Sequence, residues 1–261
     1  MYKAISGHEL LYSVCLSAIW GKRDIMRTVH EKELKFISTG NDELDKKMGG
    51  GIPLGTLTLV EGQPDSGKSV LTQQMLWGSL NNGCTAMIIT TENTTKSLVT
   101  QMQSLGLDIT DYLLLSRLSI YPLDIKKTRQ NLSAGIVPLL TGCAHRGVDL
   151  AVIDSLTYYL THATIEEVLS FFEDCKALTG RGISIVCVAH SYAFTEEAMV
   201  RLGSMCDAHL RLRIETMGSK MVKILEVAKV RGAKLTTGNI VSFDVEPNWG
   251  IRVIPYAKAK A

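Results

Sequence analysis

Three features that settle a protein's class at once are missing from this sequence: a cysteine framework, a strong charge of one sign and a long apolar run. None of its six cysteines forms a C-x-x-C pair or stands at zinc-ligand spacing from a histidine, which argues against a redox dithiol or a zinc site. Cys187 falls inside an apolar run, where a reduced thiol behaves as a small hydrophobe. Buried free thiols in a reducing, cytoplasmic compartment are therefore expected. With 28 Lys and Arg against 26 Asp and Glu, the net charge is only +2, so composition gives no support to a polyanion-binding surface. The most apolar stretch, residues 10–20, is eleven residues long, whereas a bilayer span needs about twenty. His8 and Glu9 precede it and no A-x-A site follows, which argues against a cleaved signal. A short amphipathic helix and an upstream extension ahead of a natural start at Met26 both stay open for this arm.

What is present reads as one α/β unit. A chain of 261 residues suffices for a single domain with a sizeable core, and we expect residues 1–35 as an arm and 36–261 as the domain. Thr39-Gly40-Asn41-Asp42 has the spacing of a capping box, predicting a short helix through Lys47 that Gly49-Gly50-Gly51-Ile52-Pro53 ends. Buried strands are expected over 56–61, 85–91, 117–121, 150–153 and 183–189. Helices are expected over 69–80, 94–105, 125–143 and 164–178, the third weakened or kinked by Gly135 and Pro138. This alternation predicts a parallel sheet covered by helices. After Asp207, short alternating strands with turns at Met217-Gly218 and Thr237-Gly238 predict antiparallel hairpins on one edge.

The chemistry is concentrated in Gly62-Gln63-Pro64-Asp65-Ser66-Gly67-Lys68-Ser69, followed by Val70. The pattern G-x-x-x-x-G-K-[ST] is a loop whose backbone N–H groups wrap phosphates while the lysine reaches the β/γ oxygens and the hydroxyl holds Mg²⁺. The expected strand before it and helix after it aim a helix N-terminus at the anion. ATP and Mg²⁺ are the cofactors this implies. Asp65 is unusual there, since a carboxylate beside phosphates repels them unless it points outward; aspartate does tolerate a left-handed backbone. Asp154 follows four apolar residues, the position of a second acid that reaches the Mg²⁺ shell. Glu92 ends another strand, on the side where α/β sheets place ligand-facing groups. It would orient or deprotonate a water, or else serve as an acid at the N-terminus of the next helix; the spacing leaves both open. His190 closes a further strand, either as a satisfied structural histidine or as a polar group that distinguishes di- from triphosphate.

Together these segments, with Thr39-Gly40-Asn41-Asp42-Glu43-Leu44-Asp45 and Ile153-Asp154-Ser155-Leu156-Thr157, resemble the KaiC-like branch of the RecA superfamily. Within that branch the chain is most similar to the archaellum (archaeal flagellum) accessory ATP-binding family, FlaH/ArlH. Gly67-Lys68-Ser69-Val70-Leu71-Thr72-Gln73-Gln74, Ile89-Thr90-Thr91-Glu92, Val230-Arg231-Gly232-Ala233 and Val245-Glu246-Pro247-Asn248-Trp249-Gly250-Ile251 carry this closer match. It covers residues 36–261. The resemblance implies a RecA-like P-loop core, with Lys68 and Ser69 on phosphate and Mg²⁺, Asp154 as the Walker B acid and Glu92 as the catalytic glutamate. Clock proteins of the branch carry Glu-Glu at that point; this chain has Glu92-Asn93, which implies slow or absent hydrolysis. Lys229-Val230-Arg231 matches a K-x-R element that reaches the γ-phosphate of a neighbouring subunit, where an arginine supplied in trans stabilises developing charge. Read without the family, they are two exposed cations on an edge strand. The implied partners are the archaellum motor ATPase and its membrane platform. A homo-oligomeric ring, a hexamer favoured, would sit peripherally at the cytoplasmic face of the membrane.

Two other functions compete. A DNA-dependent recombinase needs basic, DNA-facing loops, yet Ser191-Tyr192-Ala193-Phe194-Thr195-Glu196-Glu197 is acidic, and no nucleic acid partner is expected. A KaiC-like kinase or signalling ATPase acting on itself stays open.

Overall fold

Strands that are apolar at consecutive positions bury both faces, so a sheet made of them needs helices above and below. The computed structural model, which describes residues 35–123, 132–218 and 220–255, is built this way. The arm over 1–34, with its apolar stretch and Met26, and the start of the helix expected from residue 125 lie outside the described residues.

The chain enters through β1 (Phe36–Ile37), antiparallel to β2 (Ile52–Pro53), with the short helix α1 (Asp42–Lys47) between them. There follow β3 (Leu57–Gly62), α2 (Lys68–Asn81), β4 (Ala86–Thr90), α3 (Thr95–Ser104), α4 (Thr110–Leu114) and β5 (Leu118–Pro122). Next come α5 (Leu132–His145), β6 (Leu150–Asp154), α6 (Thr157–Leu160), α7 (Ile165–Thr179) and β7 (Ser184–His190). A 3-10 turn, Ser191–Ala193, leads to α8 (Glu196–Met205) and then to β8 (Ala208–Met217), β9 (Lys220–Val230), β10 (Ile240–Glu246) and β11 (Gly250–Ile254). Among the described residues nine strands form one sheet in the order β11-β10-β9-β8-β3-β7-β6-β4-β5. From β8 to β5 all neighbours are parallel; from β8 to β11 they are antiparallel.

Alternation along each central strand divides its side chains between two cores. Val60, Ile88, Val152, Val186 and Val188 face α2 and α3, meeting Leu71, Met75, Leu98 and Met102. Leu57, Leu59, Ile89, Ile153 and Cys187 face α5 to α8, meeting Leu140, Phe171, Phe172 and Leu202. Cys187 is thus the buried hydrophobe expected of it, and the five described cysteines are all buried and in no disulfide.

Two expectations need correction. Thr39 does not cap α1. Gly40 adopts a left-handed backbone (φ 71°), which shifts the helix start by two residues, and Asn41 accepts from the Glu43 and Leu44 amides instead. Thr39 uses its hydroxyl to donate to Asp45 Oδ1 at 2.7 Å. Thr237-Gly238 is not a tight hairpin turn but lies in the connection over 231–239. The antiparallel strands expected after Asp207 do form one edge of the sheet; the other side of β8 pairs parallel with β3, so this extension is joined directly to the P-loop strand. The helix α5, for its part, continues through both Gly135 and Pro138.

Candidate functional site

The P-loop joins β3 to α2, and the backbone explains its glycines. A Cβ on Gly62 would lie 2.2 Å from the Leu212 carbonyl oxygen of β8, so no other residue fits there without backbone movement. Gly67 is left-handed (φ 93°) at the N-cap of α2, a conformation that costs a side chain. The Gln63 amide donates to Leu212 O at 3.2 Å, and Gln63 Oε1 accepts from the Ile214 amide at 3.0 Å. Ser66 Oγ and Lys68 Nζ both donate to Gln63 O, at 2.7 and 2.6 Å. Gln63, Pro64 and Asp65 are exposed along the outer turn, and Asp65 has the left-handed backbone expected of it (φ 58°).

The strand ends bring the other expected groups together. β4, β6 and β7 are parallel neighbours, so Glu92, Asp154 and His190 arrive at the same edge of the sheet as Gly62, which pairs with His190. Lys68, Ser69, Val70, Glu92, Asp154 and His190 line one cavity of about 480 Å³. Asp65 and Gly67 line it as well; Asp65 does not point clear of it. Ser155 Oγ donates to Glu92 Oε1 at 3.1 Å, so Glu92 is oriented by the strand that carries Asp154. Asn93 donates its amide to Thr90 Oγ1 and is not among the cavity's lining residues.

Burial governs the charges here. Asp154 is raised to about 6, first by desolvation and then by Glu92, against the hydrogen bond from Ser69 and the charge of Lys68. Desolvation lowers Lys68 despite Asp154, Glu92 and Asp65 nearby. His190 is lowered by burial and then by Lys68; its Nδ1 meets Thr157 Oγ1 at 2.9 Å, and Tyr192 stacks on its ring with centroids 5.1 Å apart. A half-empty electrostatic balance of this kind suits a divalent cation. Ser69 and Asp154 are hard oxygen donors already in contact, the set Mg²⁺ takes together with phosphate and water oxygens. Among the described residues no cluster of three or more His, Cys, Asp or Glu side chains could hold a metal alone.

Sequence reasoning missed four lining residues: Gln101, Ser155, Lys223 and Val245. Ser155 follows Asp154 and could have been suspected. Lys223 is set by the β8–β9–β10 register, which no local pattern encodes; its Cδ lies 3.4 Å from where a Gly67 Cβ would be.

Lys229 and Arg231 are not brought to this cavity. Lys229 pairs with His209, three residues below the Leu212 level at which β8 meets Gly62, a separation of about 10 Å along the strand. Lys229 Nζ donates to the carbonyls of Gly203 and Cys206 at 2.8 and 2.5 Å, capping the end of α8. Arg231 donates to Ser204 O at 3.2 Å and lies 3.6 Å from Asp207. Neither is among the residues that line the cavity.

A parallel sheet flanked by helices, carrying a P-loop at the end of β3 and acids at the ends of β4 and β6, defines a RecA-like P-loop protein. A family profile described as "ATPase: KaiC" matches residues 37–258. The archaeal flagellar ATP-binding protein FlaH of Sulfolobus acidocaldarius is 35% identical over 87% of this chain and 100% of its own length. The crystal structure of the flagellar accessory protein FlaH from Methanocaldococcus jannaschii superposes with a TM-score of 0.75 at 25% identity, covering 86% of this chain and all of that one. A KaiC-like protein from Pyrococcus horikoshii shares the fold, with a TM-score of 0.69 at 18% identity over 85% of this chain and 100% of that one. The chain belongs to the KaiC-like family and, within it, to the archaeal flagellar FlaH proteins.

Proposed function

We propose that this chain binds ATP with Mg²⁺ and serves as a nucleotide-switched component of the archaellum motor, turning over slowly or not at all. The observation that carries this reading is the cavity itself, which Lys68, Ser69, Asp154 and Glu92 line together. The P-loop amides and Lys68 bind the phosphates, Lys68 exchanging its bond to Gln63 O for a phosphate oxygen. Ser69 and Asp154 would hold Mg²⁺, which would neutralise phosphate charge there. Glu92, held by Ser155, orients or deprotonates a water; Asn93 in place of the second glutamate of the family's Glu-Glu pair supports slow turnover.

With slow chemistry, ATP acts as a ligand that shifts a population between states. The states we propose are free and docked: a homo-oligomeric ring, a hexamer in the favoured form, engaging the motor ATPase and the membrane platform at the cytoplasmic face. Among the described residues no helix is long and apolar enough to cross a membrane, so attachment would run through those partners. Arg231, the more exposed of the pair, would then meet the nucleotide of a neighbouring copy, while Lys229 stays on the carbonyls at the end of α8. The test is ATP and ADP binding with phosphate release on the purified chain, with and without DNA, tracking assembly in parallel. Tight binding, little release and indifference to DNA, coupled to assembly, are expected. Release strongly stimulated by single-stranded DNA would replace the motor switch with a recombinase.

A further inference from the structure

Glu61 is a charged residue inside the sheet, 6% exposed, immediately before the first P-loop glycine. Alternation along β3 places it on the face of Leu57 and Leu59, away from α2. Its carboxylate is the centre of a charged cluster outside the cavity. Ser191 Oγ donates to Oε2, Arg211 Nε lies 3.2 Å from Oε1, and His209 Nε2 lies 3.4 Å from the same oxygen. Arg211 continues to Glu226 at 3.6 Å, which Arg213 also holds at 2.9 Å. Desolvation pushes the Glu61 carboxyl up, but the His209 contact, the Ser191 hydrogen bond and the charge of Arg211 outweigh it and hold it below its ordinary value. A buried carboxylate is expensive unless such partners satisfy it, and the phosphate chemistry at Lys68 makes no use of it.

Its contact with Ser191 supplies a use. Ser191 directly follows His190, whose ring stands in the nucleotide cavity, and precedes Tyr192, which stacks on that ring. The corner has two side-chain anchors: Thr157 holds His190, and Glu61 holds Ser191. Glu61 immediately precedes the P-loop in sequence, so one strand end leads into the loop that wraps the phosphates and anchors the corner that carries Ser191.

We propose that Glu61 is a positioning residue which, through Ser191, holds the His190–Tyr192 corner against the terminal phosphate and so sets the preference for ATP over ADP. This rests on the reading of the cavity as an ATP site. ADP lacks the group that the corner meets; loosening the corner therefore weakens ATP and leaves ADP nearly unaffected.

The experiment measures ATP and ADP affinity by calorimetry, with Mg²⁺, for the full chain, Glu61→Gln, Ser191→Ala and the double variant. Loss of one hydrogen bond to a charged group, partly transmitted, should weaken ATP about tenfold in each variant. ADP should stay within about twofold, and the double variant should lose no more than either single one, because both remove the same contact. Ser191→Ala sits on a partly exposed turn, so it gives an answer even where Glu61→Gln destabilises the sheet. Equal losses for both nucleotides, additive losses, an unaffected Ser191→Ala, or a wild-type chain without ATP preference would each overturn the proposal. A wild-type chain that binds neither nucleotide overturns the ATP-site reading itself and this proposal with it, a pattern distinct from the others.

Discussion

Lys68 and Asp154 stand almost without solvent, each 5% exposed, in a cavity whose net demand is for both an anion and a cation. Lys68 has one bond, to its own loop, and a phosphate oxygen replaces that bond at little cost in geometry. Lys68→Ala should therefore weaken ATP binding by at least about 100-fold, since both a charged hydrogen bond and its Coulomb attraction are lost; calorimetry with the variant checks this. Lys223 is half-buried and approaches Gly67 from β9, so its ammonium adds charge without a fixed bond. Its removal in Lys223→Ala should weaken ATP about three- to tenfold, the scale of a partly screened contact, and raising salt should narrow the gap between variant and wild type. A salt-independent loss would point to packing against Gly67 and Phe243 as the cause.

Among the elements, local marking in the sequence separates what was legible from what was not. The P-loop, Glu92, Asp154 and His190 were legible because each is marked by glycines or by a polar residue ending an apolar strand. Parallel strands then bring such ends to one edge. Lys223 was not legible, because its place depends on β9 pairing with strands on both sides. Thr39 misled for a related reason: its spacing to Asp42 fits a box, but the left-handed Gly40 turns it towards Asp45. The parallel pairing of β8 was equally hidden, since alternation signals a half-buried strand and not the direction of its neighbour.

That pairing has measurable weight. Gly62→Ala should lower the melting temperature, with a stability loss of about 1–3 kcal/mol, because a methyl 2.2 Å from the Leu212 carbonyl must displace backbone; a thermal melt decides it. At the other end of β3, Asp207 accepts from the Leu57 amide at 3.0 Å and from Lys176. Burial raises its carboxyl, but Lys176, the Leu57 amide and Arg231 together hold it below the usual value. Stability from Asp207 is then fully present above the ordinary aspartate range and is lost as pH falls through its lowered value. Asp207→Asn should be less stable than wild type at pH 7, and the two melting curves should converge as the pH drops below about 4; a gap that persists in acid would assign the effect to the hydrogen bonds alone.

At the scale of the molecule, the division between the two basic residues of the K-x-R element matters. Lys229 is tied to three backbone carbonyls at the end of α8, whereas Arg231 is 55% exposed at its side chain and only loosely paired. Arg231 is the one free to reach a second copy. Arg231→Ala should keep ATP affinity of the single chain within about twofold, as a residue outside its own cavity does, while removing ATP-dependent assembly. Identical sedimentation of variant and wild type with ATP would rule out the trans contact. The seam between β3 and β8 bears on something else: how the protein opens. Gln63 is bonded to β8 on both its backbone and its side chain, so β8 cannot part from β3 as a local event that spares the P-loop. Separation of β8 dismantles the phosphate cradle, and a bound phosphate chain resists that separation by mass action. A bound nucleotide would therefore fasten the two halves of the sheet together, and its departure would leave the molecule less stable against opening along that one line.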